Sequence, residues 1–490
     1  MPRFVAAAVV AVCLVSTGYW WTGQTQSFSA DAQTSQPQLV PASKTSVPTV
    51  GSAAIPSLQP NATTYTAKRG DSIPLVARQY LKKTSYLTSS QLSDAIRDVN
   101  GHRGNNILKA GETLIIPGML EAPIVEKTVA VPKDFEVRAV YLTGVMAGSD
   151  RGMRIIKRWR EVGGNAVVFD IKDSDGIINI AFDHPLVVGS QKHYISDLPK
   201  LNRFLHSQGM HAIARIAIFR DEKLVLAHPE LAVQSARLGK AWHENGKLVW
   251  TDPSQPKVQD YDIALAKFVA QSGVDEVQFD YVRFPAEGEQ KDAVFHFQSA
   301  HPGWHRSDVI TDFLKRAYAE LHPTGVLLSL DVFGIMAWQR PVDLAHTGQD
   351  IVGMAKYCDV LSPMIYPSHF FGMDGVARPG DAPEHFIGES MDRFQKITAG
   401  SGVVIRPWLQ AFAWRTKTYS PKYIEVQVET SKQKNGIGFL FWNANNDYSK
   451  PYAAMPEMAA AKGRYFRGEE LSDRKQPVVS SNMPSSTSPK

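Results

Sequence analysis

Eight short apolar runs recur between residues 138 and 442, each separated from the next by a longer, mostly amphipathic stretch, and this alternation constrains the chain more than any other feature. The runs span 138–144, 165–171, 211–219, 274–279, 325–332, 359–366, 403–411 and 436–442. Helical periodicity lies between most of them, at 151–161, 198–208, 256–272, 307–321, 383–399 and 421–434. Strands buried on both faces read as continuous apolar runs, and parallel strands need a helical crossover to return the chain. The expected fold class is therefore α/β, a (β/α)8 TIM barrel over 133–467, whose functional face is the C-terminal end of the strands.

Composition narrows the remaining classes. With 490 residues, 43% of them apolar, the chain is neither disordered throughout nor collagen-like. The two cysteines, Cys13 and Cys358, provide no disulfide framework, because Cys13 lies in an apolar N-terminal run. A net charge of +5 is spread along the chain without a basic block, so no nucleic acid is expected as a partner.

The polar residues at the strand ends carry the chemistry. Run two ends in Asp170, Lys172 and Asp173, run three holds Arg215, run four ends in Asp280 and Arg283, and run five ends in Asp331. Run six ends in Tyr366, run seven contains Trp408 and Gln410, and run eight ends in Trp442. Repeated carboxylates on adjacent strand ends are an electrostatic cost that a purely structural barrel would not carry. Glycosidic-bond cleavage uses two carboxyl groups, one donating a proton to the leaving oxygen and one serving as nucleophile or base, with aromatic faces against the sugar rings. Asp280 and Asp331 are the expected catalytic pair, with Asp170 as a third site carboxylate. The sequence leaves open which is the acid, since that depends on which is desolvated. Arg215 and Arg283 are expected to hold a carboxylate ionised or bind a substrate charge, Tyr366 to donate a hydrogen bond, and Trp408, Gln410 and Trp442 to line subsites. Neither a cofactor nor a metal is expected. Asp173-Ser174-Asp175-Gly176 lacks the later ligands of a calcium loop, and His296, His301 and His305 lack zinc-site spacing.

The N-terminal part has a different organisation. Arg3 precedes an apolar stretch followed by Tyr19, Trp20 and Trp21, the pattern of an export signal. It is either cut near Ala30-Asp31-Ala32 or kept as an N-terminal anchor, and only the second option places the chain on a membrane. Residues 1–32 are assigned to this segment, 33–63 to a disordered linker and 468–490 to a disordered tail, each too poor in large apolar residues to form a core. The expected location is the periplasm or cell envelope.

Residues 64–118 carry Tyr65-Thr66-Ala67-Lys68-Arg69-Gly70-Asp71-Ser72-Ile73, then Val76, Ala77 and Tyr80, then Leu92, Ile96 and Asn100, and close with Gly111-Glu112-Thr113-Leu114-Ile115-Ile116-Pro117. The pattern reads as strand, two helices, strand, and it resembles a LysM domain, departing from that family in a longer segment at 81–91. The resemblance implies binding of peptidoglycan, chitin or another N-acetylglucosamine-containing glycan through turns holding Gly70, Asp71, Ser72 and residues 106–110.

The strings Ala139-Val140-Tyr141-Leu142-Thr143-Gly144, Asn165-Ala166-Val167-Val168-Phe169-Asp170-Ile171-Lys172-Asp173, Gln278-Phe279-Asp280-Tyr281-Val282-Arg283-Phe284-Pro285 and Leu361-Ser362-Pro363-Met364-Ile365-Tyr366-Pro367 resemble a family of bacterial glycoside hydrolase barrels distantly related to the α-amylase-like barrels. That resemblance implies a TIM barrel with glycosidase activity on a polysaccharide substrate. The α-amylase relation would make Asp280 the nucleophile and Asp331 the acid, although those enzymes carry Glu at the acid position. A non-catalytic glycan-binding envelope protein with a degenerate barrel is the alternative.

Overall fold

The computed structural model describes residues 61–467 apart from 103–105, 188 and 190–192. The expected export segment, most of the linker and the tail lie outside the described residues. Among the described residues no helix is long and apolar enough to cross a membrane.

Eight parallel strands close into a barrel. They are β1 (Val137–Leu142), β2 (Ala166–Lys172), β3 (His211–Ala217), β4 (Glu276–Asp280), β5 (Leu327–Phe333), β6 (Val360–Ile365), β7 in two pieces (Val404–Ile405 and Trp408–Gln410) and β8 (Gly438–Trp442). Each pairs with the next in sequence, β8 returns to β1 through Phe441 opposite Val140, and β5 meets β6 through Leu330 opposite Leu361. The break in β7 falls at Arg406-Pro407, where proline has no N–H to give to the ladder. Gly438 is required where β8 starts: its φ is +76°, and a Cβ there would stand 2.1 Å from the Val137 carbonyl oxygen.

Helices cover the outside, and local chemistry starts them. The Ser149 hydroxyl accepts from the Gly152 N–H at the head of Asp150–Glu161, and the Asp197 carboxylate accepts from the Lys200 N–H at the head of Leu198–Ser207. Pro256, Pro383 and Pro421 open three further helices, where a missing N–H costs nothing. Helix Asp150–Glu161 buries Met153, Ile156 and Trp159, each worth roughly 1.5–3 kcal/mol of burial. The Trp159 indole N–H also donates to the Arg138 carbonyl at 2.9 Å, fixing the helix to β1.

The N-terminal unit has the expected strand, helix, helix, strand order. Thr63–Thr66 pairs antiparallel with Thr113–Ile116, and helices Ile73–Tyr80 and Ser89–Asn100 pack a core of Ile73, Val76, Leu92, Ile96, Leu114 and Ile116. Asn100 bridges helix and strand, donating to the Ile115 carbonyl and accepting from its N–H, both at 2.8 Å.

Candidate active site

Alternation along the strands sorts side chains into two sets. Val137, Ala139 and Tyr141 pack with Ala166, Val168, Ile213 and Leu440 inside the barrel, while Val140, Leu142, Val167 and Phe169 join the core beneath the helices. Continuing the inward set by twos brings Asp170, Arg215, Asp280 and Asp331 to one level near the C-terminal ends of β2 to β5.

Below that level the axis is filled by an ionic plug. Arg406 Nη1 donates to both Glu276 oxygens at 3.0 and 2.8 Å, and His211 Nε2 lies 3.2 Å from Glu276 Oε2. Burial alone would drive the Glu276 carboxyl up, but the Arg406 charge and His211 override it and hold it at about 2.

At the upper level Arg215 is the hub. Its Nη1 donates to Asp170 Oδ1 at 2.5 Å, its Nη2 to Asp280 Oδ2 at 2.5 Å and its Nε to the same Asp280 oxygen at 3.2 Å, while Asp331 Oδ2 stands 3.8 Å from that Nε. All four residues are buried, from 1% exposed at Asp331 to 6% at Asp280. The Tyr141 hydroxyl donates to Asp170 Oδ2 at 2.5 Å. The Tyr281 N–H donates to Asp280 Oδ1 at 2.6 Å, from a residue at φ +54° in the left-handed region, where a bulky side chain signals strain.

The two central carboxyl groups differ in surroundings. Asp280 receives three N–H donors. Asp331 receives one, the Trp408 indole N–H at 2.7 Å on Oδ1, and its Oδ2 is a buried atom with no hydrogen-bond partner. Burial first, then the Asp280 charge, push the Asp331 carboxyl well above the ordinary range, against the opposing pull of Arg215 and Trp408. Burial also raises Asp170, opposed by Arg215 and the Tyr141 hydroxyl. A carboxyl group raised by burial thus stands beside one oriented by three N–H donors.

The other expected site residues divide. Tyr366 reaches the mouth beside Phe412 and His369, with ring centroids 5.6 and 5.2 Å away, and burial pushes the His369 imidazole down to about 4. Trp442 is half-buried and stacks on Tyr141 at 4.1 Å, with Arg215 5.3 Å from its centroid. Trp408, expected to line a subsite, is instead 1% exposed and acts on Asp331 through its N–H. Gln410, expected in the same role, is fully buried: its amide oxygen accepts from the Ser368 N–H and its amide nitrogen donates to the Phe412 carbonyl and Thr416. Arg283 is buried between Trp250 and Phe333, 4.6 and 4.4 Å from their centroids, and donates to the Phe284 carbonyl. Gly70 and Asp71 stand in the N-terminal unit, where the Asp71 carboxylate accepts from the Tyr65 hydroxyl at 2.6 Å and the Lys68 N–H at 2.7 Å.

Several site residues escaped the sequence reading. Tyr141, Tyr281, Phe412 and Trp414 all stand in or around the mouth, and His369 packs 5.1 Å from Trp414. Tyr141 had a usable signal, because it occupies the inward phase of β1 one step above Ala139. Among the described residues no three His, Cys, Asp or Glu side chains are grouped to hold a metal ion.

Comparison with one solved structure agrees with this architecture. Among solved structures, the glycoside hydrolase domain of PgaB (BpsB) from Bordetella bronchiseptica is 14% identical, covering 68% of this chain and 100% of that one with a TM-score of 0.52, a likeness of fold. A hypothetical protein from Ruminiclostridium thermocellum ATCC 27405 is 36% identical, covering 39% of this chain and 97% of that one with a TM-score of 0.35. The spore cortex-lytic enzyme SleL from Bacillus megaterium QM B1551 is 12% identical, covering 84% of this chain and 88% of that one with a TM-score of 0.39. No curated protein matches. A family profile described as "Putative glycosyl hydrolase domain" matches residues 139–448, from β1 to beyond β8, and with well over half of its sequence matched the chain belongs to that family.

Proposed function

We propose that the barrel is a glycosidase acting on an envelope or extracellular polysaccharide, with Asp331 as the acid and Asp280 as the nucleophile or base. The observation that carries this is the contrast between the two carboxyl groups: Asp331 is desolvated, raised and without a hydrogen bond at Oδ2, whereas Asp280 is oriented by three N–H donors. Asp331 protonates the leaving oxygen, and Asp280 attacks the anomeric carbon or activates water, as the spacing dictates. Both carboxylate oxygens face Arg215 Nε, at 3.2 and 3.8 Å, so they can be no further apart than those two distances laid end to end. That limit includes the roughly 5–5.5 Å of a double displacement and reaches only the lower end of the roughly 6.5–9.5 Å used by inverting enzymes. Arg215 sets the charge balance, Asp170 and Tyr141 hold Arg215, and Trp408 positions Asp331. The order of nucleophile on β4 and acid on β5 is that of the α-amylase-like barrels, with Asp in place of their Glu.

The N-terminal unit is assigned as a LysM module that binds peptidoglycan or a related N-acetylglucosamine glycan at Gly70, Asp71, Ser72 and residues 106–110, on a protein exported to the envelope. Its support is the order of strands and helices and the Asp71 turn, closed by Tyr65 and Lys68. The non-catalytic alternative draws on one observation, the near-complete burial of Asp331 behind Trp408.

The test is reducing-end release from purified peptidoglycan, chitin oligomers and envelope polysaccharides, with pull-down on the same glycans. Release from one class establishes the glycosidase and names its substrate. Pull-down with no release from any of them moves the assignment to the binding protein.

A further inference from the structure

The segment at 81–91, where the N-terminal unit departs from the LysM pattern, is the part that touches the barrel. The buried Lys200 ammonium, in the first turn of the helix after β2, donates to the carbonyls of Leu81, Thr84 and Tyr86 at 2.8, 2.6 and 3.0 Å, spending all three of its N–H groups on this segment. The Thr88 hydroxyl donates to Asp150 at the head of the helix after β1, at 2.5 Å, and Leu87 packs against the barrel core. A connector then runs on to β1 and is pinned on the way: Glu126 accepts from Arg203 at 2.8 Å and lies 2.9 Å from His206, Thr128 donates to the Val274 carbonyl at 2.8 Å, and the Val129 N–H donates to Asp275 at 2.7 Å. A flexible tether makes no such contacts.

The direction of the two helices fixes where the glycan turns lie. Ile73–Tyr80 begins at the Gly70-Asp71-Ser72 turn and ends at the docked segment, whereas Ser89–Asn100 begins at the docked segment and runs away from it. The second turn stays beside the first, since Ser72 bridges Ile107 and the Ile73 N–H donates to the Asn106 carbonyl at 3.1 Å. The glycan turns therefore stand one helix length, roughly 12–18 Å, from the seam, with Gly70, Asn106 and Ile107 exposed and Asp71 and Ser72 half-buried. The seam touches the N-terminal ends of the helices that follow β1 and β2, and those ends lie on the side of the barrel that carries the mouth.

We infer that the N-terminal unit is a fixed extension of the barrel's substrate face, gripping the same glycan chain at a set distance from the mouth, with the 81–91 segment and Lys200 as the clamp. This rests on the glycan-binding assignments above. Rigid linkage makes the second contact intramolecular only for a ligand long enough to reach both sites, so affinity should rise in a step with chain length.

The experiment reads affinity rather than turnover, so that it succeeds or fails independently of hydrolysis. Calorimetric titration of the Asp280→Asn protein with N-acetylglucosamine oligomers and peptidoglycan fragments of graded length is expected to show at least a tenfold gain in affinity across a narrow range of lengths. Adding Lys200→Met and Thr88→Val should leave binding of short oligomers within threefold, flatten the step, and open the 81–91 and 121–132 segments to limited proteolysis. A length series without a step, or a clamp variant that keeps it, overturns the inference. A step together with no hydrolysis by the wild-type protein sustains the clamp and rejects the glycosidase.

Discussion

Replacing Arg215 with Met is the perturbation that asks most of the site. The guanidinium contacts Asp170 and Asp280 at 2.5 Å and stands 3.8 Å from Asp331, and all these groups are buried. Methionine fills much of the same space without charge, leaving three carboxyl groups facing one another in a dry pocket. Removing one partner of a buried ion pair costs about 3–5 kcal/mol, a large share of a typical stability of about 5–15 kcal/mol. The loss must also depend on pH. Without the cation the folded-state carboxyl values of Asp170 and Asp331, already raised by burial, rise further above their unfolded values. A group raised in the folded state stabilises fully below its unfolded value, near pH 4, and loses that contribution as pH climbs through the folded value. The gap between variant and wild type should therefore widen from pH 5 to pH 8. Urea unfolding at the two pH values measures it, with near-UV circular dichroism confirming that both proteins start folded. A loss below about 1 kcal/mol, or one equal at both pH values, would refute the hub role of Arg215.

Other outcomes follow from the same geometry. Trp408→Phe removes the donor that stabilises the Asp331 anion, a hydrogen bond to a charged group worth about 1.5–3 kcal/mol, so the alkaline limb of kcat/KM should move up by about one to two pH units. A pH–rate profile of the variant on the identified substrate checks this, and an unmoved limb removes Trp408 from the machinery. His206 sits between Glu126 and Asp275, whose charges and hydrogen bonds outweigh burial and raise its imidazole value. Its contribution is present below the unfolded value near pH 6.5 and lost as pH rises through the folded value, so unfolding titrations should show His206→Gln destabilised by about 1–2 kcal/mol at pH 6 and by less at pH 8.5.

Much of the barrel was legible because period and phase are written into the strands. All eight runs form strands, and stepping by twos along β2 to β5 gives Asp170, Arg215, Asp280 and Asp331 on the axis. Phase reports direction but not depth. Trp408 and Gln410 point the right way and still end below the surface, because residues from other strands and loops close over them. Arg283 shows a related gap: Trp250, from the long excursion between β3 and β4, takes one face of its guanidinium, a contact across 33 positions that no local pattern encodes. The docking of the N-terminal unit was similarly hidden. Lys200 looks like any surface lysine of an amphipathic helix until the 81–91 segment is seen to supply three carbonyls to it.

The assignment of Asp280 and Asp331 as the reacting pair is tested most directly by comparing wild type, Asp280→Asn and Asp331→Asn for reducing-end release on the glycan that the wild type cleaves. Each amide is expected to lower kcat at least about 100-fold, in keeping with the roughly 10²–10⁴-fold that acid–base catalysis supplies, while near-UV circular dichroism and glycan binding stay at wild-type levels. Release within threefold of wild type by either variant contradicts the assignment and places the chemistry on other residues.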